Sequence, residues 1–350
     1  MYETFYGLSG KPFQLNPDPT FFFGSRGHNR AFAYLQYGLY QGEGFIVITG
    51  EIGAGKTTIV RSLMEQLDTS KVVAAQIVST QLEADDLLRT VGVAFGLPVA
   101  TVSKSVLLAS IEAHLCQIAT ENRRALLIVD EAQNLAPRAV EELRMLSNFQ
   151  LGDQALLQSF LIGQPELRAM MQSASMQQLR QRVIASYHLG PLDAAETQAY
   201  VVHRLRHVGW NEDPRFTAGA FAQIHALTGG IPRRINTLCN RVMLAGYLAE
   251  QHVLDVGDVQ AIASEMQDEL GIDLKAANLA GAPSPEALRG AVGGGAPEPA
   301  RVSSLTEAQL RRLEERVERV ERTVGATVDL LHNLLHPDRS KPGTPPSRQG

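Results

Sequence analysis

Residues 50–58 read Gly50-Glu51-Ile52-Gly53-Ala54-Gly55-Lys56-Thr57-Thr58, and the pattern G-x-x-x-x-G-K-[ST] places Gly50, Gly55, Lys56 and Thr57 at its fixed positions. Phe45-Ile46-Val47-Ile48 before it is an apolar run of strand length, and Ile59 to Met64 after it has helical spacing. Strand, glycine-rich loop and helix are the context this pattern requires. Glycines let backbone N–H groups turn inward on a polyphosphate, and the next helix presents its positive N-terminal end. Lys56 would reach the outer phosphates, and the Thr57 hydroxyl is a magnesium ligand in such loops. The stretch Gly50, Glu51, Ile52, Gly53, Ala54, Gly55, Lys56, Thr57 and Thr58 is therefore the candidate nucleotide-binding element.

Downstream, Ala125-Leu126-Leu127-Ile128-Val129 runs straight into Asp130-Glu131-Ala132-Gln133. Acids at the C-terminal edge of a buried strand lie where open α/β sheets bind ligands. Asp130 is the candidate to hold the metal with Thr57, and Glu131 is placed to polarise an attacking water.

Around these two motifs the chain alternates strand and helix patterns. Val72–Val78 reads as a strand, Leu82–Phe95 and Ser105–Ala119 as helices, Arg138–Phe149 as a helix, and Leu156–Ile162 as a fourth strand. A helical stretch Met176–Val183 leads to a short fifth strand, Ala185–Leu189. Such alternation predicts an α/β domain with a parallel sheet covered on both faces. From Asp193 strand signals stop, and helices are expected at Asp193–His207, Arg215–Leu227, Arg233–Glu250 and Val256–Leu270, an all-helical module. Ahead of the loop, residues 1–44 carry Phe5, Phe13, Phe21, Phe22, Phe23 and Phe32, with Phe45 at the edge, and five of the eight tyrosines. So aromatic a leader is expected to pack on the nucleotide-binding domain, with a helix from His28 to Tyr40.

Residues 272–304, rich in Ala, Gly and Pro, are expected to form a flexible linker. Beyond it Leu310, Leu313, Val317, Val320, Val324, Thr327, Leu331 and Leu334 keep 3,4 spacing, which predicts a short coiled coil over 305–336. Residues 337–350 are expected to be disordered.

The chain has 350 residues, is 44% hydrophobic and carries a net charge of −5, so it holds no basic excess of the kind that signals nucleic-acid binding. No apolar run approaches the roughly 18 to 20 residues needed to cross a bilayer, and no basic-then-apolar leader opens the sequence. Cys116 and Cys239 are far apart inside helical patterns, which favours core packing in a reducing, cytoplasmic compartment.

Taken together, MYETFYGLSGKPFQLNPDPTFFFGSRGH, GEIGAGKTT, LLIVDEAQNL, FLIGQPEL and GGIPRRIN resemble the AAA+ secretion-type ATPases over residues 1–271, the family of the type II secretion assembly ATPase. They are most similar to the secretion ATPases of exosortase/PEP-CTERM exopolysaccharide loci. The resemblance implies a P-loop AAA+ parallel-sheet domain with an all-helical lid, ATP and Mg2+ as ligands, and a homo-oligomeric ring, a hexamer among the sizes allowed. It also implies three further site residues: Gln164 as the polar sensor at the end of the fourth strand, Arg182 (with Arg180 as rival) as a finger reaching the neighbouring subunit, and Arg233 as the lid arginine. Envelope export or polysaccharide-assembly proteins would be partners, met at the inner membrane through the coiled coil. Type II members continue into a membrane span and a peptidoglycan-binding part; here a linker and coiled coil follow, so a role in widening the cell wall is not expected to carry over. Two other readings stay open, an ATP-gated DNA-binding scaffold of the transposition-regulator type and a nucleotide-binding scaffold without turnover.

Overall fold

Three strands of the chain are apolar almost without interruption, and all three are buried along their whole length: β1 (Phe45–Gly50), and the later strands at Arg124–Asp130 beyond its first residue and at Leu157–Gly163. That pattern belongs to strands covered on both faces. A computed structural model describes residues 1–78, 82–99 and 102–270. Among these, β1, β2 (Val72–Val78), β3 (Arg124–Asp130), β4 (Leu157–Gly163) and β5 (Val183–Leu189) form one parallel sheet in the order β2-β3-β4-β1-β5. The half-buried β2 and β5 are its edges.

Alternation along each strand feeds two separate cores. Phe45, Val47, Leu127 and Val129 join the side chains of helices Ala84–Ala94, Lys104–Thr120, Pro137–Leu146 and Pro165–Gln172 on one face. Ile46, Ile48, Leu126 and Ile128 point the other way, onto Ala31 and Leu35 of helix Arg26–Gln41 and Ile59, Val60 and Leu63 of helix Lys56–Gln66. Registers Thr49↔Gly163 and Val129↔Leu161 bring the C-terminal ends of β1, β3 and β4 side by side. The loops after these strands carry the phosphate-loop motif, the Asp130–Glu131 pair and Gln164.

Helices Ala194–His207, Ala218–Thr228, Pro232–Leu248 and Val256–Leu270 form the second module around Val201, Leu205, Ile235, Leu238, Val242 and Met243. Tyr2, Tyr6, Leu8, Phe13 and Phe21 of the leader belong to this core, while Phe22 and Phe32 pack on the α/β domain. The leader is therefore shared between the two, where the sequence reading had put it on the nucleotide-binding domain. Buried Arg204 fixes it: its guanidinium donates to the carbonyls of Pro12 (2.6 Å) and Gln14 (3.3 Å) and lies 4.7 Å from the Phe21 ring. Cys239 is fully buried, which pushes its thiol pKa well above the ordinary range, and Cys116 is half-buried; neither is paired.

Other departures from the sequence reading are local. The segment expected to be helical over Met176–Val183 is a 3-10 turn, Ala174–Met176, followed by a helix that stops at Arg180, because Val183 is taken by the ladder with Phe45. Helix Pro165–Gln172 and the hairpin of Gln150–Leu151 with Gln154–Ala155 had no separate signal. The helical module also contains a two-residue parallel ladder, Arg215–Phe216 with Val253–Leu254, so its second helix begins at Ala218. The expected linker, coiled coil and tail lie outside the described residues.

Where the module joins the α/β domain, Leu192 donates its N–H to the carbonyl of Gly230 at 2.9 Å. Gly230 has φ 72, and a Cβ there would overlap the carbonyl oxygen of Leu192. Gly209, at φ 79, faces open space. Gly209→Ala should then cost about 1 kcal/mol for the left-handed backbone alone. Gly230→Ala adds a main-chain collision and should lower Tm by about 5 °C or more in a calorimetric scan. Equal melting of the two variants would mean that the Leu192 contact is not tight.

Candidate functional site

The phosphate loop leaves β1 at Gly50 and enters helix Lys56–Gln66 with Gly55 as the N-cap. Gly53 (φ 81) and Gly55 (φ 99) are left-handed, the region only glycine enters freely. They are also pressed from both sides. A Cβ at Gly53 would overlap Cβ of Arg233 in the helical lid, and one at Gly55 would sit 2.7 Å from Nε2 of His28 in the leader. Both neighbours are bonded to the loop: the Arg233 N–H donates to the Gly53 carbonyl (3.1 Å), and His28 Nε2 lies 3.0 Å from the Ala54 carbonyl oxygen. Since a carbonyl can only accept, the ring proton is on Nε2, and Nδ1 accepts from the Ser25 hydroxyl at 2.7 Å. Burial holds the His28 pKa below its ordinary value, so the ring is neutral.

Lys56 is buried and donates to the carbonyls of Gly50 (2.7 Å) and Glu51 (3.0 Å). Burial lowers its pKa, opposed by the carboxylates of Glu131 and Asp130. The Thr57 hydroxyl donates to Asp130 Oδ2 at 3.1 Å, so the two residues expected to hold a metal are in contact. Buried Asp130 has its pKa raised by desolvation, and no lysine or arginine forms a salt bridge with it among the described residues. A hydroxyl and a buried carboxylate that Lys56 influences only through its charge, without a salt bridge, are a hard-oxygen set that fits Mg2+, whose charge would favour the ionised form.

Glu131 follows at φ 54. Its Oε2 accepts from Nε2 of Gln164 (2.9 Å) and from Nε2 of Gln133 (2.6 Å). Burial acts to raise the Glu131 pKa, but the two amides and the charges of Lys56 and Arg233 outweigh it and hold the carboxylate below its usual range. The two adjacent acids are thus driven in opposite directions.

A cavity of about 220 Å³ opens over the loop. Its lining includes Lys56, Thr57 and Glu131 of the α/β domain, Arg233, Tyr200, Arg204 and Asn236 of the helical lid, and leader residues Gln14–Asp18. Of the residues expected to act, Glu131 and Arg233 meet here with the loop, and Gln164 touches Glu131 from behind. Arg182 and Arg180 are elsewhere. Arg182 donates to the carbonyl and hydroxyl oxygens of Ser147 (both 3.1 Å), and Arg180 to the carbonyls of Met171 (2.5 Å) and Ser173 (2.7 Å). Both precede β5, whose first residue pairs with Phe45 while its last, Leu189, pairs with Gly50. At about 3.3 Å per residue, that puts them roughly 20 Å from the loop of their own chain.

The sequence reading missed His28, Gln133 and the group Tyr200, Arg204 and Asn236. His28 and Gln133 do lie inside motifs that were noticed, but no spacing rule assigns a side-chain amide or imidazole to its acceptor. In the lid group Tyr200 donates to Asn236 Oδ1 (2.9 Å) and accepts from Arg204 (2.8 Å), and Arg204 and Asn236 both donate to the Gln14 carbonyl of the leader.

Residues 39–171 match the model of the AAA domain family. The chain is 40% identical over 267 residues to General secretion pathway protein A of Aeromonas hydrophila, a match covering 76% of this chain and 48% of that protein; it spans about half the length of the curated relative. Among solved structures, the Aeropyrum pernix ORC2 protein in its ADPNP-ADP complexes is 17% identical, with TM-score 0.52, over 69% of this chain and 67% of that one. Cdc6p from Pyrobaculum aerophilum is 16% identical, with TM-score 0.54, over 68% and 66%. Likeness at this identity speaks for the fold alone. The fold is the parallel-sheet P-loop AAA+ fold with an appended helical module, and that fold implies nucleotide binding. No helix among the described residues is long and apolar enough to cross a membrane.

The neutral, buried His28 carries a pH signature. Its folded pKa lies below the unfolded value of about 6.5, so the unfolded chain binds the extra proton first. The stability it contributes is intact above about pH 6.5 and falls as the pH drops from there toward the folded pKa. Urea midpoints near pH 7.5 and 5.5 should show a smaller acid loss in His28→Gln than in the wild type. An identical loss in both proteins would mean that His28 is already charged in the fold.

Proposed function

We propose that this chain binds ATP with Mg2+ in the cleft over residues 50–58 and hydrolyses it, as an AAA+ ATPase serving an envelope polysaccharide or protein export system. The observation that carries the reading is the meeting of Lys56, Thr57 and Glu131 at one cavity, with buried Asp130 accepting from the Thr57 hydroxyl at 3.1 Å. Such a constellation suits phosphoryl transfer, in which positioning and charge neutralisation do most of the work.

On this reading the inward-turned N–H groups of the loop bind the phosphates, and Lys56 leaves the carbonyls of Gly50 and Glu51 to neutralise the outer ones. Thr57 and Asp130 would hold the magnesium ion, which when bound supplies positive charge beside the phosphates. Glu131, kept ionised by its two amide donors, accepts the proton of the attacking water. Arg233 enters from the lid, where Pro232 starts the helix and the Arg233 N–H is tied to the loop, so its guanidinium can fold onto the phosphates. Gln164 steadies Glu131 as the sensor. Arg182, remote from its own cleft, serves the cleft of a neighbouring copy in a ring, with Arg180 as the rival.

Service to an export system is supported by the identity with General secretion pathway protein A. The locus type and the partners follow from the motif resemblance, with contact made through the segment 305–336. The net charge of −5 weighs against nucleic acid as the ligand.

Lys56→Ala should abolish binding of a fluorescent ATP analogue. Glu131→Gln should bind it with near wild-type affinity yet release phosphate about 100-fold more slowly or worse, because an amide is a poor proton acceptor. Wild-type turnover by Glu131→Gln would remove Glu131 as the base. Arg182→Ala should bind ATP normally, lose turnover only in the assembly, and regain part of it when mixed with Lys56→Ala protein. Weak ATP binding by lone Arg182→Ala, with no rescue on mixing, would move the residue back to its own cleft.

A further inference from the structure

Gln133 lies two residues past Glu131, in the 3-10 turn Ala132–Asn134. The left-handed backbone at Glu131 reverses the chain, so the Gln133 side chain comes back against the carboxylate it has just passed. Its amide has one oxygen and one nitrogen end, and the surroundings allow only one orientation. Oε1 accepts the main-chain N–H of Gln164 at 2.9 Å. Turned over, the amide would set its NH2 against that N–H and an oxygen against the carboxylate. With Oε1 taken by Gln164, Nε2 must face Glu131, and it donates to Oε2 at 2.6 Å. Gly163, the last residue of β4, leaves the necessary room, since a Cβ there would come within 2.8 Å of Gln133 Oε1. The side chain of Gln164 adds its donor to the same Oε2 at 2.9 Å. Both amides thus converge on one oxygen of Glu131, a residue that lines the cavity. They engage Oε2 and leave Oε1 as the oxygen they do not use.

We infer that Gln133 is a positioning residue for hydrolysis: its amide, locked by the main chain of Gln164, pins one carboxylate oxygen of Glu131 so that the other is presented to the attacking water. This rests on Glu131 being the base and adds to it a residue that need touch neither nucleotide nor water. A carboxylate on a flexible stem otherwise samples several rotamers, and loss of aim by about 1 Å costs a reaction of this kind on the order of 100-fold. Glu131 is fixed at its backbone by the left-handed φ and at its tip by the amides, which leaves its remaining torsions little freedom.

The experiment uses the full chain with Gln133→Glu and Gln133→Met, measuring kcat and KM for ATP by phosphate release and nucleotide affinity with a fluorescent analogue. Gln133→Glu keeps the side-chain length and an acceptor for the Gln164 N–H, but turns an oxygen toward Glu131. A merely structural tie between the two loops would survive it. We expect kcat to fall about tenfold or more in both variants while KM and affinity stay within about twofold. Wild-type kcat in Gln133→Glu overturns the proposal, as does a loss of nucleotide affinity matching the loss of kcat. Should Gln133→Met fail to fold, Gln133→Glu decides alone. Glu131→Gln, assayed beside them, separates the two levels. If it turns over normally, the base assignment fails and Gln133 falls with it; if it is inactive while Gln133→Glu is normal, only the Gln133 proposal fails.

Discussion

The backbone of Gly53–Gly55 is held between an imidazole and the first turn of a lid helix, with no room for a Cβ on either side. Much of the molecule follows from that close fit. Leader and lid each give the loop one hydrogen bond, from His28 to the Ala54 carbonyl and from the Arg233 N–H to the Gly53 carbonyl. Two segments some two hundred residues apart in the chain therefore converge on three residues, and anything that changes the loop's shape is felt by both. The leader is tied to the lid a second time through Arg26, whose side chain pairs with Asp193 and Glu196 at the start of helix Ala194–His207. These exposed pairs add little stability, and the buried contacts of Arg204 and the leader aromatics carry the larger share.

The electrostatics of the cleft are those of a site prepared for a polyanion. Lys56 is buried on two main-chain carbonyls, which take two of its three donors without neutralising its charge. Asp130 is desolvated and Glu131 is stabilised as an anion, although the two are adjacent in sequence. This split suits the roles proposed for them, Asp130 as a ligand to a cation and Glu131 as a base. Environments that drive paired carboxylates apart in this way are how one small site carries two roles.

Sheet topology explains what the cleft lacks. Parallel pairing sends every C-terminal strand end to the same edge, so the loop, the acidic pair and Gln164 gather there. Arg182 precedes β5 and is necessarily at the opposite edge of its own sheet, held by Ser147. Within one chain no rearrangement short of unravelling β5 would bring it to the loop, which is why the proposed role for it requires a second copy.

The sequence by itself determined the elements that depend on local pattern. Apolar runs named β1 and β3, an apolar stretch interrupted by Gln158 and Ser159 named β4, the fixed positions Gly50, Gly55, Lys56 and Thr57 named the loop, and acids at a strand end named Asp130 and Glu131, because each rests on neighbours within a few residues. Tertiary structure alone decided which distant partners meet. An aromatic leader reads as packed, but aromatic content does not say on what, and the lid's Val201, Leu205 and Ile235 took most of it. Gln133 and His28 were visible as residues and invisible as ligands, since a side chain's hydrogen-bond partner depends on where other loops arrive. The stretch after Pro165 was hidden for a similar reason. Helix Gln177–Arg180 and the strand from Val183 are near neighbours in the chain, and pairing with Phe45 in β1 settles where one ends and the other begins.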